Sequence, residues 1–245
     1  MSILIRNVQF KDKPTDIFID GTLIKQIGQN LQVNADTVVD GRKKAVFPGF
    51  VNAHTHAAMT LFRGYAEDLP LERWLKERIW PAEARNTDET IYWGTKLACL
   101  EMIESGTTCF NDMYFRPKQA YQAIAEMGLR ATITDSIFDF FDPERAEHAK
   151  RMTEENLKLA QSFNSTVRYS IAPHAIYTVS GELFKWSADF AKANGLVFHT
   201  HLSESRQEYE DSIKNFGLSP VKYLHKLGIL SPNLSLAHVV WVDDE

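Results

Sequence analysis

The chain has 245 residues, of which 44% are hydrophobic and 24% charged, and its formal net charge is -5. This is the composition of an ordinary globular protein and excludes a collagen-like, coiled-coil or disordered chain. The small acidic excess argues against a nucleic-acid-binding surface, since such domains usually carry a strong basic excess.

No stretch approaches the roughly 18 uninterrupted apolar residues that a membrane span needs, and the first residues lack the pattern of a signal peptide. We therefore expect no membrane partner and a cytoplasmic location. The chain has only two cysteines, Cys99 and Cys109. We expect both to be buried free thiols, as is usual in a reducing compartment. These features leave a homo-oligomer open.

Residues 1–48 contain short β-branched runs with turn signals between them. The runs cover 3–10, 17–24 and 38–39, and Asp-Gly pairs occur at 20–21 and 40–41. Asp-Gly indicates a hairpin because both turn positions tolerate positive φ. Residues 1–48 are therefore predicted to form a small, antiparallel, sandwich-like β unit.

Residues 49–245 are predicted to alternate short strands with amphipathic helices. Helix starts are marked by Thr87, by Asp142 before a proline, by Ser180 and by Ser219. Six apolar runs are predicted strands, at 46–52, 108–112, 131–134, 169–173, 197–201 and 234–240. This alternation predicts an α/β fold with a parallel sheet, which is either doubly wound or closed as a barrel.

Two features favour the barrel. The first strand is not followed by the Gly-x-Gly-x-x-Gly loop of a dinucleotide-binding fold. Polar residues also end nearly every strand, which is the face where a (β/α)8 TIM barrel carries its chemistry; they are His54, His56, Asp112, Asp135, His174, His201 and His238. After the N-terminal unit, the remaining length accommodates about six strand-helix units. We therefore predict a TIM barrel that stops after six strands.

Histidines at two of these strand ends are candidate metal ligands. His54 and His56 are two residues apart, so on a strand both imidazoles face the same side and can share one cation. The spacing alone leaves open that they are unrelated polar residues. His201 ends the fifth strand and can add a third ligand, whereas His199 lies one layer deeper and is favoured as a hydrogen-bonded core residue. Neutral imidazole suits zinc and other divalent transition metals.

A metal-bound water ionises near neutral pH and supplies a nucleophilic hydroxide, which then needs a proton carrier. Glu204 follows the fifth strand and is a candidate general acid and base. Its alternative is a solvated glutamate in the acidic stretch 204–211. His238 ends the sixth strand and can orient the water or polarise the substrate, or be a core residue. Apolar residues after the first strand can wall a pocket or simply pack their loop; these are Met59, Phe62, Trp74 and Trp80.

The chain resembles the amidohydrolase superfamily in motifs that occur in order along its length. They are Pro48-Gly-Phe-Val-Asn-Ala-His-Thr-His56, Trp80-Pro-Ala-Glu-Ala-Arg85, Gly106-Thr-Thr108, Asn111-Asp-Met-Tyr114, Ala172-Pro-His-Ala175, His199-Thr-His-Leu-Ser-Glu204 and Leu236-Ala-His238. Within the superfamily they are most similar to the branch of the 5'-methylthioadenosine/S-adenosylhomocysteine deaminases, which is related to triazine hydrolases and to guanine and cytosine deaminases.

The resemblance implies a role for each matching residue at the centre of the barrel. It makes His54, His56 and His201 ligands of one zinc ion, with iron, manganese or nickel as alternatives. It makes Glu204 the group that exchanges protons with the purine ring. His238 would lie beside the attacked carbon and its water.

For the substrate, the resemblance makes Glu83 an acceptor for the ribose hydroxyls and His174 a contact of the nucleoside. The implied enzyme is a metal-dependent aminohydrolase. Its zinc-bound hydroxide deaminates adenine nucleosides with a 5' thioether, 5'-methylthioadenosine or S-adenosylhomocysteine, to an inosine-type product and ammonia.

Two alternatives remain at this stage. One is a different ring hydrolase with the same metal site, acting on guanine, cytosine or a triazine. The other is an inactive, incomplete barrel, because the family's fourth ligand, an aspartate that ends an eighth strand, has no matching motif. Asp243 and Asp244 are read as the start of a helix and are poor replacements for it.

Overall fold

The computed structural model describes residues 1–243, and it divides the chain into two compact units. The first is Met1–Gly49 and the second begins at Phe50, one residue beyond the expected boundary. Asp244, one of the residues considered as a helix start, lies outside the described residues.

The N-terminal unit is a four-stranded sheet of mixed direction. Its strands are β1 (Ser2–Phe10), β2 (Lys13–Asp20), β3 (Leu23–Gly28) and β4 (Thr37–Asp40), in the order β3-β2-β1-β4. The pairs β1/β2 and β2/β3 are antiparallel, and Gly21 between β2 and β3 has a φ of 59°, as the Asp-Gly signal predicts. β4 pairs with β1 in parallel, so the fully antiparallel prediction is wrong. The chain passes from β3 across to the far side of β1 before it forms β4. A sandwich needs two sheets, whereas the described residues of this unit form a single sheet.

The second unit winds its parallel strands in chain order. The strands are β5 (Phe50–Thr55), β6 (Thr107–Tyr114), β7 (Arg130–Ile137), β8 (Val167–Tyr169), β9 (Ala172–Pro173), β10 (Phe198–Leu202) and β11 (Leu234–His238). β5 to β8 are paired consecutively, β9 pairs with β7, a bridge joins Ile171 to Phe198, and β10 pairs with β11. A doubly wound sheet would reverse its strand order at a switch point. The observed order is that of a TIM-barrel-type fold.

Helices cover this sheet between successive strands. They are α1 (Leu71–Trp74), α2 (Trp80–Glu83), α3 (Asp88–Glu104), α4 (Pro117–Met127), α5 (Pro143–Ala160), α6 (Gly181–Asn194), α7 (Arg206–Phe216) and α8 (Pro220–Leu227). A short 3-10 helix (Ala57–Phe62) follows β5, and a π-helical turn (Leu75–Ile79) joins α1 to α2. The side chains of Thr87, Asp142 and Ser180 accept backbone N–H groups at the starts of α3, α5 and α6, as the start signals predict.

The helices and strands enclose an apolar core that reaches close to the site. One cluster joins α3 and α4 to β6 and β7 through fully buried residues such as Cys99, Phe110 and Ile133. α3 approaches the 3-10 helix closely at Gly94, where an added Cβ would lie 2.6 Å from the Ala58 carbonyl oxygen. Glycine at this position therefore lets α3 support the segment that follows β5.

The first and last strands of the second unit differ from their predicted bounds. The first was predicted at 46–52 but spans Phe50–Thr55, because the Val46 N–H already donates to the Gln9 carbonyl in the N-terminal unit. His54 consequently lies within the strand. The last was predicted at 234–240 but ends at His238, since His238 and Val239 have φ values of 73° and 50°, which extended backbone does not allow.

Both cysteines are free: Cys99 is buried and Cys109 is partly buried. Among the described residues, no helix combines the length and apolar character required to cross a membrane.

Candidate metal centre and active site

Four histidines converge at the carboxyl ends of the strands. His54 lies on β5, His56 follows it, His201 lies on β10 and His238 ends β11. One ring nitrogen from each of His54, His201 and His238 lies within 4.8 Å of the other two. The Nε2 atoms of His56 and His201 are 3.3 Å apart. The structure thus brings the three predicted ligands together and adds His238 to the same cluster.

The hydrogen bonds of His56 and His201 determine which ring nitrogen carries the proton. Nδ1 of His56 contacts the Met113 carbonyl oxygen. Nδ1 of His201 lies 2.9 Å from the carbonyl oxygen of His174. Because a carbonyl oxygen only accepts, both Nδ1 atoms carry hydrogen. Burial lowers the pKa of both histidines, so both rings are neutral and each Nε2 presents a lone pair. Two lone pairs that face each other at 3.3 Å repel unless a cation lies between them.

His54 obtains the same tautomer through His199. Nδ1 of His199 donates to the Ser235 carbonyl oxygen at 3.0 Å, and its Nε2 lies 2.8 Å from Nδ1 of His54. Burial lowers the pKa of His199 to about 4 and that of His54 to about 3. Both rings are therefore neutral, so His54 donates to His199 and presents a free Nε2. His199 is 1% exposed, and its hydrogen bonds orient His54.

These features fit a divalent transition metal. Its histidine ligands typically donate their second ring nitrogen to a carbonyl or a similar acceptor, which orients the lone pair of the first. His54, His56 and His201 all have this arrangement. Three neutral imidazoles are a ligand set that suits zinc and related ions.

Glu204 approaches His238, one of the four histidines of the cluster. Oε1 of Glu204 is 3.5 Å from Nε2 of His238, and the two side chains are 25% and 29% exposed. Burial raises the pKa of Glu204 and lowers that of His238. The pair therefore combines a carboxyl group and an imidazole that can exchange a proton at the open side of the cluster.

Glu83 and His174 line a cavity that reaches the cluster. This cavity, of about 50 Å3, is also bordered by His56 and Tyr114 and by the apolar side chains of Met59, Trp74 and Trp80. Phe62, the fourth apolar candidate, is not among the residues that border it. Glu83 ends α2; burial raises its pKa, and the neighbouring Tyr114 side chain partly offsets this rise.

His174 has a defined tautomer as well. Its Nδ1 lies 2.8 Å from Oγ1 of Thr178, whose hydroxyl donates to the Ala175 carbonyl, so His174 donates to Thr178. Burial lowers the pKa of His174 to about 3. The neutral ring keeps Nε2 as an acceptor, and Phe138 stacks on it with ring centroids 4.5 Å apart.

A wider cavity of about 570 Å3 shares the Trp80 and Glu83 wall. Its apolar side is formed by Phe115, Phe138 and Phe140. Small-molecule sites are typically apolar with a few placed polar groups, and the two cavities together have that character.

The sequence places Asp112 at a strand end, where a structural hydrogen bond is expected of it, but it leaves Tyr114 and Glu208 without a role. Asp112 accepts the Ala57 N–H at 2.7 Å and so fixes the backbone next to His56. Tyr114 lines the same cavity as Glu83, and Glu208 accepts the Glu204 N–H at 2.9 Å. The position of Asp112 at a strand end was a signal for it, whereas Glu208 resembles an ordinary helix-capping glutamate.

Comparisons with known proteins agree with this geometry. The Amidohydrolase family model matches residues 45–245. A 5'-deoxyadenosine deaminase of Methanospirillum hungatei is 43% identical over 251 residues, which cover 100% of this chain and 56% of that protein. A 5-methylthioadenosine/S-adenosylhomocysteine deaminase of Archaeoglobus fulgidus is 44% identical over 226 residues, covering 92% and 53%.

A crystal structure of an adenosine deaminase from Xanthomonas campestris with bound zinc is similar at a TM-score of 0.83 and 30% identity, covering 96% of this chain and 56% of that one. The chain thus spans about half the length of these relatives. The ordered motifs, the strand order and the family match agree with one another. The chain belongs to the amidohydrolase family.

Proposed function

We propose that the chain carries the metal and substrate site of a hydrolase that deaminates adenine nucleosides with a 5' thioether, such as 5'-methylthioadenosine and S-adenosylhomocysteine. The observation that carries this proposal is one shared cavity. Glu83 and His174, the ribose and nucleoside contacts implied by the resemblance, border it together with His56. Glu204 lies 3.5 Å from His238, a member of the same histidine cluster. The names of the similar deaminases support an adenine nucleoside whose 5' hydroxyl is replaced.

His54, His56 and His201 would hold the metal through Nε2, and zinc is the proposed ion because the Xanthomonas relative contains it. Bound there, a zinc ion would supply a water molecule that ionises near neutral pH and acts as the nucleophile. Iron, manganese and nickel use the same ligands, so metal analysis of the purified protein decides among them.

Glu204 moves the protons of the reaction. Water adds to C6 of the adenine ring, and the Glu204 carboxylate takes up a proton from that water and transfers it to the purine. Glu204 then transfers the remaining hydroxyl proton to the amino nitrogen, and the bond between C6 and that nitrogen breaks, so that an inosine-type nucleoside and ammonia remain. Nε2 of His238 lies 3.5 Å from Oε1 of Glu204, so that the imidazole faces the carboxyl group that carries the protons.

Glu83 would bind the ribose. An ionised carboxylate has about four lone-pair sites, enough to accept two ribose hydroxyls on the cavity wall that Glu83 shares with Tyr114. A free base has no ribose to bind. Glu83 therefore favours a nucleoside over guanine, cytosine or a triazine.

We also propose that the second unit is part of a complete (β/α)8 barrel. The strand order and the greater length of the relatives support a unit that forms part of a (β/α)8 barrel.

The test is ammonia release, together with the loss of adenine-ring absorbance, from the zinc-loaded protein. We expect activity on 5'-methylthioadenosine, S-adenosylhomocysteine and 5'-deoxyadenosine, and little on guanine or cytosine. Glu83→Gln should raise KM for nucleosides more than it lowers kcat. The exposed Glu89, changed to Gln, is the matched control. Ammonia from free bases, with none from adenine nucleosides, would refute the proposal.

A further inference from the structure

Glu208 is a buried carboxylate that has no direct part in the proposed reaction. It lies in the first turn of α7 and is 4% exposed. Ser205 begins the helix, and its Oγ accepts the Glu208 N–H at 3.1 Å. In an ordinary capping box, the glutamate at this position accepts the backbone N–H of the capping serine.

The Glu208 carboxylate instead binds the two residues that precede Ser205. Oε1 accepts the Ser203 N–H and Oε2 accepts the Glu204 N–H, both at 2.9 Å. Each carboxylate oxygen thus binds one of two consecutive amides. Two such bonds fix the orientation of the backbone at Glu204, whereas a single bond would leave it free to rotate.

The same backbone segment is joined to the loop that follows His238. The Ser203 carbonyl accepts the N–H groups of Val240 and Trp241 at 3.0 and 2.9 Å. Ser203 has a φ of 52°, a left-handed conformation that a residue with a side chain adopts only when its surroundings hold it there. Glu208 thus binds the N–H groups of this segment, whereas the loop after His238 binds its carbonyl group.

We propose that Glu208 is a positioning residue that holds Glu204 at its distance from His238. This inference rests on the proposed function, in which Glu204 moves the protons. In this proposal Glu208 acts through the backbone N–H groups of Ser203 and Glu204. The competing role is simple stabilisation of α7, which would affect the melting temperature but not the proton-transfer step.

Glu208→Gln distinguishes these roles because it keeps the size of the side chain. Its amide nitrogen would face one of the two N–H donors, so that one bond is lost and two donors oppose each other. We expect hydrogen exchange at Ser203 or Glu204 to accelerate about tenfold or more. The amides of β10 that bond to neighbouring strands should stay protected. We expect kcat to fall about 100-fold with KM nearly unchanged.

The control is Glu210→Gln on the same helix, which removes an exposed ion pair with Arg206 and should leave kcat and exchange unchanged. The double variant Glu204→Gln/Glu208→Gln should have the kcat of Glu204→Gln alone, because Glu208 then has no proton carrier to position. If Glu208→Gln fails to fold, Glu208→Asp, with its shortened carboxylate, undergoes the same measurements.

Wild-type kcat in a folded Glu208 variant with faster exchange would overturn the inference, as would losses that multiply in the double variant. Unchanged exchange at both amides would overturn it as well. If the wild type released no ammonia from any adenine nucleoside, the proposed function would fail. The exchange data would then separately show whether the Glu208 carboxylate holds this backbone.

Discussion

The hydrogen bonds of His199 lead to a sharp prediction about metal binding. His199 accepts from Nδ1 of His54 and donates to the Ser235 carbonyl. In His199→Asn the side-chain amide nitrogen can replace Nδ1 as the donor to the Ser235 carbonyl. The asparagine side chain is too short, however, for its oxygen to reach His54. In His199→Gln the side-chain oxygen reaches the former position of Nε2 and can still accept from His54. Comparison of the two variants therefore distinguishes the loss of the acceptor for Nδ1 of His54 from the loss of the other contacts of His199.

The expected magnitudes follow from the role of that acceptor. Without it, His54 is no longer held in the tautomer that presents Nε2 to the metal. Loss of such a supporting group typically costs about 10- to 100-fold in metal affinity, or roughly 1.4 to 2.7 kcal/mol. We expect this loss for His199→Asn and a smaller one for His199→Gln.

The assay is zinc competition against a chromogenic chelator at fixed pH, with His225→Gln, an exposed position on α8, as the control. Denaturant unfolding of the metal-free variants measures any general loss of stability separately. Zinc affinity of the wild-type strength in His199→Asn would refute the reasoning about the tautomer. An equal loss in both variants would attribute the effect to packing around His199 instead.

Three further predictions concern other parts of the site. Glu204→Gln should lower kcat by about 10²- to 10⁴-fold while the protein still binds zinc, as ammonia release and metal analysis would show; a loss of zinc would contradict the assigned role. Burial raises the pKa of Asp112 from its ordinary 3.8 to about 7, so its contribution to stability is greatest below pH 3.8 and is lost as the pH rises to 7, by at most roughly 4 kcal/mol. Asp112→Asn should therefore unfold with a flatter pH dependence than the wild type or the exposed control Asp189→Asn, and parallel pH profiles would exclude this. Gly94→Ala places a Cβ 2.6 Å from the Ala58 carbonyl oxygen and should destabilise the protein by about 1–3 kcal/mol; an unchanged thermal midpoint would contradict the close approach.

Much of the fold was predictable because its signals are local. The capping residues Thr87, Asp142 and Ser180 predicted the starts of three helices from side-chain chemistry alone. The start of the first barrel strand was not predictable. The apolar character of the chain continues through Val46, but the N-H of Val46 bonds within the N-terminal unit, and only the folded pairing shows this.

The candidate site was predictable to a similar degree. Polar residues at the ends of successive strands placed His54, His174 and His201 on one face before any distance was known. The tautomers were not predictable, because they depend on carbonyl groups distant in sequence, such as that of Ser235. The role of Glu208 was hidden for a different reason: the spacing from Ser205 is that of a capping box, and the sequence does not show which amides the carboxylate reaches.

The chain order of the strands has a consequence for protein synthesis. His54 and His201 are neighbours in space but are separated by 147 positions in the sequence, so the ribosome adds His201 much later than His54. At about 5–20 residues per second, roughly 7 to 30 s separate their synthesis. During that interval His54 and His56 are the only two of the cluster's four histidines that exist. A metal ion that bound them early would lack the third proposed ligand, His201, until β10 is made. Tight metal binding is therefore expected only after β10, which carries His201, has been made and has folded.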